Sequence, residues 1–147
     1  MPIPEKHVFV CVNSRPEGHP RGCCQAKGAE AIRELLKKRV AASELRGRVR
    51  VTAAQCLGQC EHGVTVVVYP EGVWYGPVRQ EDVEEIFESH LLRHQPVERL
   101  RLSAECLGTE VCPHRPAASA AGRRAEITTL AEPGPVPYTG PPSKEVC

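Results

Sequence analysis

Aromatic residues are scarce: two Phe, three Tyr and one Trp in 147 residues. There is a single Met, and no run approaches the roughly 18 consecutive apolar residues that a membrane helix needs. Charge of one sign is also lacking. The chain has 19 Lys and Arg against 18 Asp and Glu, a formal net charge of +1. Near neutrality gives no electrostatic argument for nucleic acid or an anionic membrane as a partner. The N-terminus, MPIPEKHVFVCV, has no basic region followed by an apolar core and a small-residue cleavage site, so the sequence reads as cytoplasmic. What is abundant is cysteine: eight, at positions 11, 23, 24, 56, 60, 106, 112 and 147. Without an export signal, that many thiols point to metal or redox chemistry and away from a disulfide framework.

Proline divides the chain unevenly. Seven of the 14 lie between Pro113 and Pro142. Small, Pro and Gly residues there bury too little surface to offset ordering entropy. Residues 104–147 therefore read as a Pro-rich, mostly irregular extension. Within it only Ala125 to Leu130 could form a strand or a helical turn. Residues 1–103 read as one compact α/β domain.

Within that domain, His7 to Val12 is an apolar, β-branched run and predicts a buried strand. Asn13 to Gly22 holds two Pro and two Gly and predicts a long loop. From about Gly28 a helix is expected, with Ala29, Ile32, Leu35, Leu36 and Val40 on its apolar face. Arg48 to Thr52 and Val64 to Tyr69 predict two more strands. Pro70-Glu71-Gly72 is turn chemistry, and Val73-Trp74-Tyr75 returns as a fourth strand. Gln80 to Leu92 predicts a second helix with Val83, Ile86, Phe87, His90 and Leu91 inward. The order β-α-β-β-β-α implies a right-handed parallel crossover in the first unit and a sheet with helices packed on it.

Four cysteines fall at the ends of these elements: Cys11 at the end of the first strand, Cys24 before the first helix, and Cys56 and Cys60 in the loop AAQCLGQCEHG. Their spacing is C-x12-C followed by C-x3-C. Such a set suits three chemistries. A [2Fe–2S] cluster takes four soft thiolates, two per iron. A structural zinc site takes four thiolates around one ion. Oxidisable thiols could serve a redox sensor, or a thiol oxidoreductase using Cys23/Cys24 or Cys56/Cys60. Gly18, Gly22, Gly58 and Gly63 would let backbone approach such a site closely. Cys106-x5-Cys112 has no recognised metal spacing and reads as tail thiols or as a redox-dependent disulfide. His19 and His62 read as side chains beside the site and not as ligands. Cys147 is the last residue, so it forms no prenylation box. No catalytic triad, phosphate loop or zinc-protease helix is present.

The stretches His7-Val8-Phe9-Val10-Cys11-Val12-Asn13-Ser14-Arg15-Pro16-Glu17-Gly18-His19-Pro20 and Val66-Val67-Val68-Tyr69-Pro70-Glu71-Gly72-Val73-Trp74-Tyr75-Gly76-Pro77-Val78 resemble the thioredoxin-like [2Fe–2S] ferredoxins. The resemblance covers roughly residues 5–102, includes Pro96 to Leu100, and matches the family's C-x12-C and C-x3-C pairs. It implies a thioredoxin-like mixed sheet with two helices and a [2Fe–2S] cluster on Cys11, Cys24, Cys56 and Cys60. Cys23 becomes an extra thiol beside the site. The implied role is a soluble one-electron carrier, not an enzyme, passing electrons between a reductase and an acceptor oxidoreductase. The family also implies a homodimer, for which the hairpin Val73-Trp74-Tyr75 is a candidate contact; core packing is the other reading of that hairpin.

Overall fold

A computed structural model of the chain describes residues 3–107 and 112–114. Ala125 to Leu130 and Cys147 lie outside the described residues. Strands β1 (Lys6–Cys11), β2 (Val49–Ala54), β3 (Val66–Tyr69) and β4 (Val73–Tyr75) form one mixed sheet in the order β2-β1-β3-β4. β1 and β2 run parallel across the crossover made by helix α1 (Ala29–Ala41); β1/β3 and β3/β4 are antiparallel. The mixed α/β architecture with two helical segments is the one the periodicities predict.

The register explains the two faces of the sheet. Val8, Val10, Val66, Val68, Val73 and Tyr75 alternate onto one face and are buried. There they meet Ala29, Ile32, Leu36 and Val40 of α1. Each fully buried Leu, Ile or Val contributes on the order of 1.5–3 kcal/mol, so this seam fixes which way α1 faces. Leu35 departs from the expectation. It is 40% exposed, because Ile32, Leu36 and Val40 already fill the inward line and Leu35 lies about 100° around the helix from Leu36.

The second helical segment covers residues 80–92 with three windings: tight over Gln80–Asp82, α over Val83–Glu85 and wide over Ile86–Leu92. Asp82 starts it by accepting the Arg79 N–H at 2.8 Å. Val83, Ile86, Phe87, His90 and Leu91 are all buried, as predicted. Arg39 of α1 lies over the Phe87 ring at 4.3 Å and pairs with Glu84 at 2.6 Å, tying the two helices together. Beyond this segment the chain returns to the sheet. Gly76 N–H donates to Leu100 O at 3.0 Å and Leu102 N–H to Trp74 O at 2.8 Å, so residues 100–102 cover the outer edge of β4.

Tyr75 joins three elements. The Val97 N–H donates to its hydroxyl at 3.0 Å, and the hydroxyl shares a 2.7 Å hydrogen bond with His90 Nδ1. His90 is fully buried and its Nε2 has no hydrogen-bond partner among the described residues; Glu71, itself paired with Lys6, stands 3.7 Å away. Burial, with Lys6 and His94, pushes the His90 pKa from 6.5 down to about 4. Between those values the unfolded chain binds a proton that the folded chain refuses. Stability is therefore full above about pH 6.5 and falls as pH drops towards 4, by about 2 kcal/mol at pH 5. Urea unfolding at pH 7.5 and pH 5 should show this loss in the wild type and less of it in His90→Phe. Equal pH slopes in the two chains would remove His90 as its cause.

Candidate metal centre

Folding brings Cys11, Cys24, Cys56 and Cys60 to one end of the sheet. Cys11 ends β1, where its N–H donates to Thr65 O at 3.0 Å. Cys24 precedes the turn Gln25–Lys27, and its carbonyl accepts the N–H groups of Lys27 and Ala29 at 3.0 and 3.2 Å. Cys60 opens the turn Cys60–His62. Cys11, Cys24 and Cys60 are buried, whereas Cys56 is exposed.

The sulfurs come as two pairs. Cys56 Sγ and Cys60 Sγ are 3.5 Å apart. Cys24 Sγ is hydrogen-bonded to Cys11. Two thiolates held about 2.3 Å from one tetrahedral metal lie about 3.8 Å apart, so the Cys56–Cys60 pair is spaced for a metal of its own. Two separate pairs suit a two-iron cluster better than a single zinc ion. Cys23 is directed elsewhere: its sulfur accepts backbone N–H groups of Ala26, Arg15 and Gln25, which hold its pKa below the usual thiol value.

Electrostatics sort the four thiols. Burial, with the neighbouring Cys11 and Cys60 sulfurs, pushes Cys24 up to about 12 against one backbone N–H from Thr65. Burial and Cys56 push Cys60 up as well, while Arg15 and Arg21 pull it down. Burial also raises Cys56, but hydrogen bonds from the Gly58 N–H, Cys60 and Arg15 outweigh it and leave its pKa lowered. A buried thiol whose charged form is disfavoured becomes a good ligand once a cation supplies the missing charge. The donor set therefore fits an iron–sulfur group.

Basic side chains brace the two loops around the sulfurs. Arg15 reaches Cys56 Sγ at 3.3 Å. Arg21 binds both Glu61 oxygens, at 2.8 and 3.1 Å, and Gly58 O at 3.1 Å. Lys27 Nζ donates to Cys60 O at 2.9 Å. None of these roles is visible in spacing, because each crosses between segments distant in sequence. Only Gly63, of the four glycines singled out, sits in close contact. A Cβ there would lie 2.7 Å from Cys24 Sγ and 3.4 Å from Cys60 O. Gly58 serves the turn instead, with φ +79° and open space around it.

The two histidines part company. His19 is exposed and hydrogen-bonds within its own loop, accepting the Arg21 N–H at 3.2 Å. His62 is buried, and its Nε2 stands 3.2 Å from Cys112 Sγ. Burial, then His114, lowers its pKa. Cys106 and Cys112 are buried too, unlike the tail thiols the sequence suggests.

A mixed sheet with helices packed on it and four thiols at its end defines an α/β protein with a thiolate-rich candidate metal centre. Comparison with known proteins gives the family. The chain is 48% identical over 99 residues to a 2Fe-2S ferredoxin of Aquifex aeolicus (strain VF5), covering 67% of this chain and 89% of that one. It is 42% identical over 99 residues to a 2Fe-2S ferredoxin of Clostridium pasteurianum, covering 67% and 97%. Its fold matches the crystal structure of the wild-type thioredoxin-like [2Fe-2S] ferredoxin from Aquifex aeolicus with a TM-score of 0.66 and 44% identity, over 69% of this chain and 99% of that one. No family model matches the chain. The chain belongs to the thioredoxin-like [2Fe–2S] ferredoxins.

Proposed function

We propose that this chain is a one-electron carrier, holding a [2Fe–2S] cluster on Cys11, Cys24, Cys56 and Cys60 and serving a reductase and an acceptor oxidoreductase. The observation that carries the ligand set is the arrangement of four thiols as two close pairs at one end of the sheet. When bound, the cluster supplies a reversible one-electron couple. The chain's residues do the rest. Cys11, Cys24 and Cys60 exclude water from one side of the site, while Cys56 reaches the surface and marks where a redox partner docks. Arg15 sets a positive charge against the Cys56 sulfur, which favours the more negative, reduced state. The relatives named 2Fe-2S ferredoxin support a carrier and not an enzyme.

A second copy of this chain is the other partner in this reading. It would occupy the sheet face opposite the helices, where the half-buried Phe9 and Trp74 flank the buried Val67 in register. Tyr75, by contrast, is wholly buried in the core and takes no part. Among the described residues no helix is long and apolar enough to cross a membrane, and the reading places the carrier in the cytoplasm.

The test is anaerobic purification with iron, acid-labile sulfide and zinc counted per chain, followed by EPR. About two irons and two sulfides, EPR-silent as isolated and paramagnetic after dithionite, are expected. Reversible reduction without iron loss separates a carrier from an oxidant sensor. Zinc on these cysteines with no sulfide would overturn the reading. Sedimentation of the same sample reads the oligomeric state.

A further inference from the structure

Among the described residues one set of His, Cys and acidic side chains gathers tightly enough to hold a single metal ion, and it is not the cluster set. It comprises His62, Cys106, Cys112 and His114, whose donor atoms all lie within 4.8 Å of one another. His62 Nε2 is 3.2 Å from Cys112 Sγ. His114 Nδ1 is 3.8 Å from both Cys106 Sγ and Cys112 Sγ. The two imidazoles stand edge to face, with ring centroids 4.8 Å apart. Metal–ligand distances of about 2.3 Å for sulfur and 2.0–2.1 Å for nitrogen give tetrahedral edges of about 3.3–3.8 Å; the separations of 3.2 and 3.8 Å match these, and the widest, 4.8 Å, would close on binding. His62, Cys106 and Cys112 are buried and His114 is exposed.

We propose that this is a second metal site, a structural Cys2His2 zinc centre that fastens the segment beyond residue 103 onto the cluster-binding domain. The chemistry favours zinc. Two thiolates and two imidazoles in a tetrahedral set are a characteristic zinc environment, and four protein ligands leave no open position for substrate. The placement suits a fastener. His62 belongs to the domain, held in the turn Cys60–His62. The other three donors come from the later segment, as Cys106-x5-Cys112-x-His114. Gly76 keeps the domain's side of the site in place: a Cβ there would meet His62 O at 2.4 Å and His62 Cβ at 3.2 Å.

The test uses the full-length holoprotein, desalted after exposure to Zn²⁺, with zinc and iron counted in the same sample and zinc-edge X-ray absorption recorded. One zinc per chain is expected in addition to the cluster iron, with a shell of two sulfurs and two nitrogens. Cys112→Ser and His114→Ala each lower the retained zinc by on the order of tenfold or more while iron is unchanged. Neither residue lies in a helix or strand, and retained iron shows that the variant has folded. The proposal is overturned by full iron with no zinc, by zinc undiminished in both variants, or by an all-sulfur shell that grows as iron falls. It is equally overturned if the isolated chain is lighter by two hydrogens through a Cys106–Cys112 disulfide. Iron is read independently, so failure of the zinc site and failure of the carrier reading give different results.

Discussion

Cys60→Ala is expected to leave the purified chain with almost no iron, whereas Cys23→Ala should keep about two irons per chain. The contrast rests on where each sulfur points. Cys60 Sγ is 3.5 Å from Cys56 Sγ in a buried turn, and no other cysteine is available in that turn to replace it. Cys23 Sγ is engaged by backbone N–H groups of Ala26, Arg15 and Gln25. The adjacent Cys24 is hydrogen-bonded to Cys11. Iron and sulfide counts on anaerobically purified chains, with far-UV circular dichroism to follow folding, measure the difference. A full iron complement in Cys60→Ala would remove that residue from the ligand set. Iron kept in Cys24→Ala but lost in Cys23→Ala would move the ligand one position back.

The second large effect comes from a residue with no side chain. Gly63→Ala places a methyl group 2.7 Å from Cys24 Sγ, with Cys60 O at 3.4 Å closing the other side. Neither neighbour can readily retreat: one is the sulfur of a proposed ligand and the other is backbone. With φ −71° and ψ 147°, Gly63 lies outside the left-handed region, so no positive-φ strain adds to the clash. Overpacking of this kind costs about 1–3 kcal/mol, and it falls on a bond the cluster needs. Gly63→Ala should therefore lose most of its iron. Gly58→Ala is the control: its φ of +79° costs about 1–2 kcal/mol, yet its Cβ meets nothing within 4 Å, so iron should remain. Equal iron in both variants would refute the steric argument.

How much of this was legible in the sequence differs by element. β1 and β3 declared themselves as β-branched runs, and the inward face of the second helical segment was right at every position because its residues recur at helical spacing. Leu35 was misplaced since one apolar residue more than the seam can hold lies beside Leu36. The cover that residues 100–102 give to β4 was invisible. It rests on backbone hydrogen bonds and carries no alternation of apolar and polar residues. Cys11, Cys24, Cys56 and Cys60 stood out because their spacing fits a thiolate site and the surrounding stretches resemble a family. The set around His62 did not. Its first donor precedes Cys106 by 44 positions, so no local spacing joins them. The available signal was His114, two residues after Cys112, which turns a pair of thiols into three convergent donors.

On the two proposals together, the turn Cys60–His62 would carry one donor at each end, with Glu61 between them clamped by Arg21. Three residues held in a single tight turn cannot be ordered at one end and left loose at the other. The entropy lost in fixing that turn is thus incurred once, by whichever metal arrives first, and the second arrives at a site already arranged. Thermodynamic reciprocity then requires that the factor by which zinc tightens cluster retention equal the factor by which the cluster tightens zinc. The turn would then couple the ordering of the cluster site to that of the zinc site.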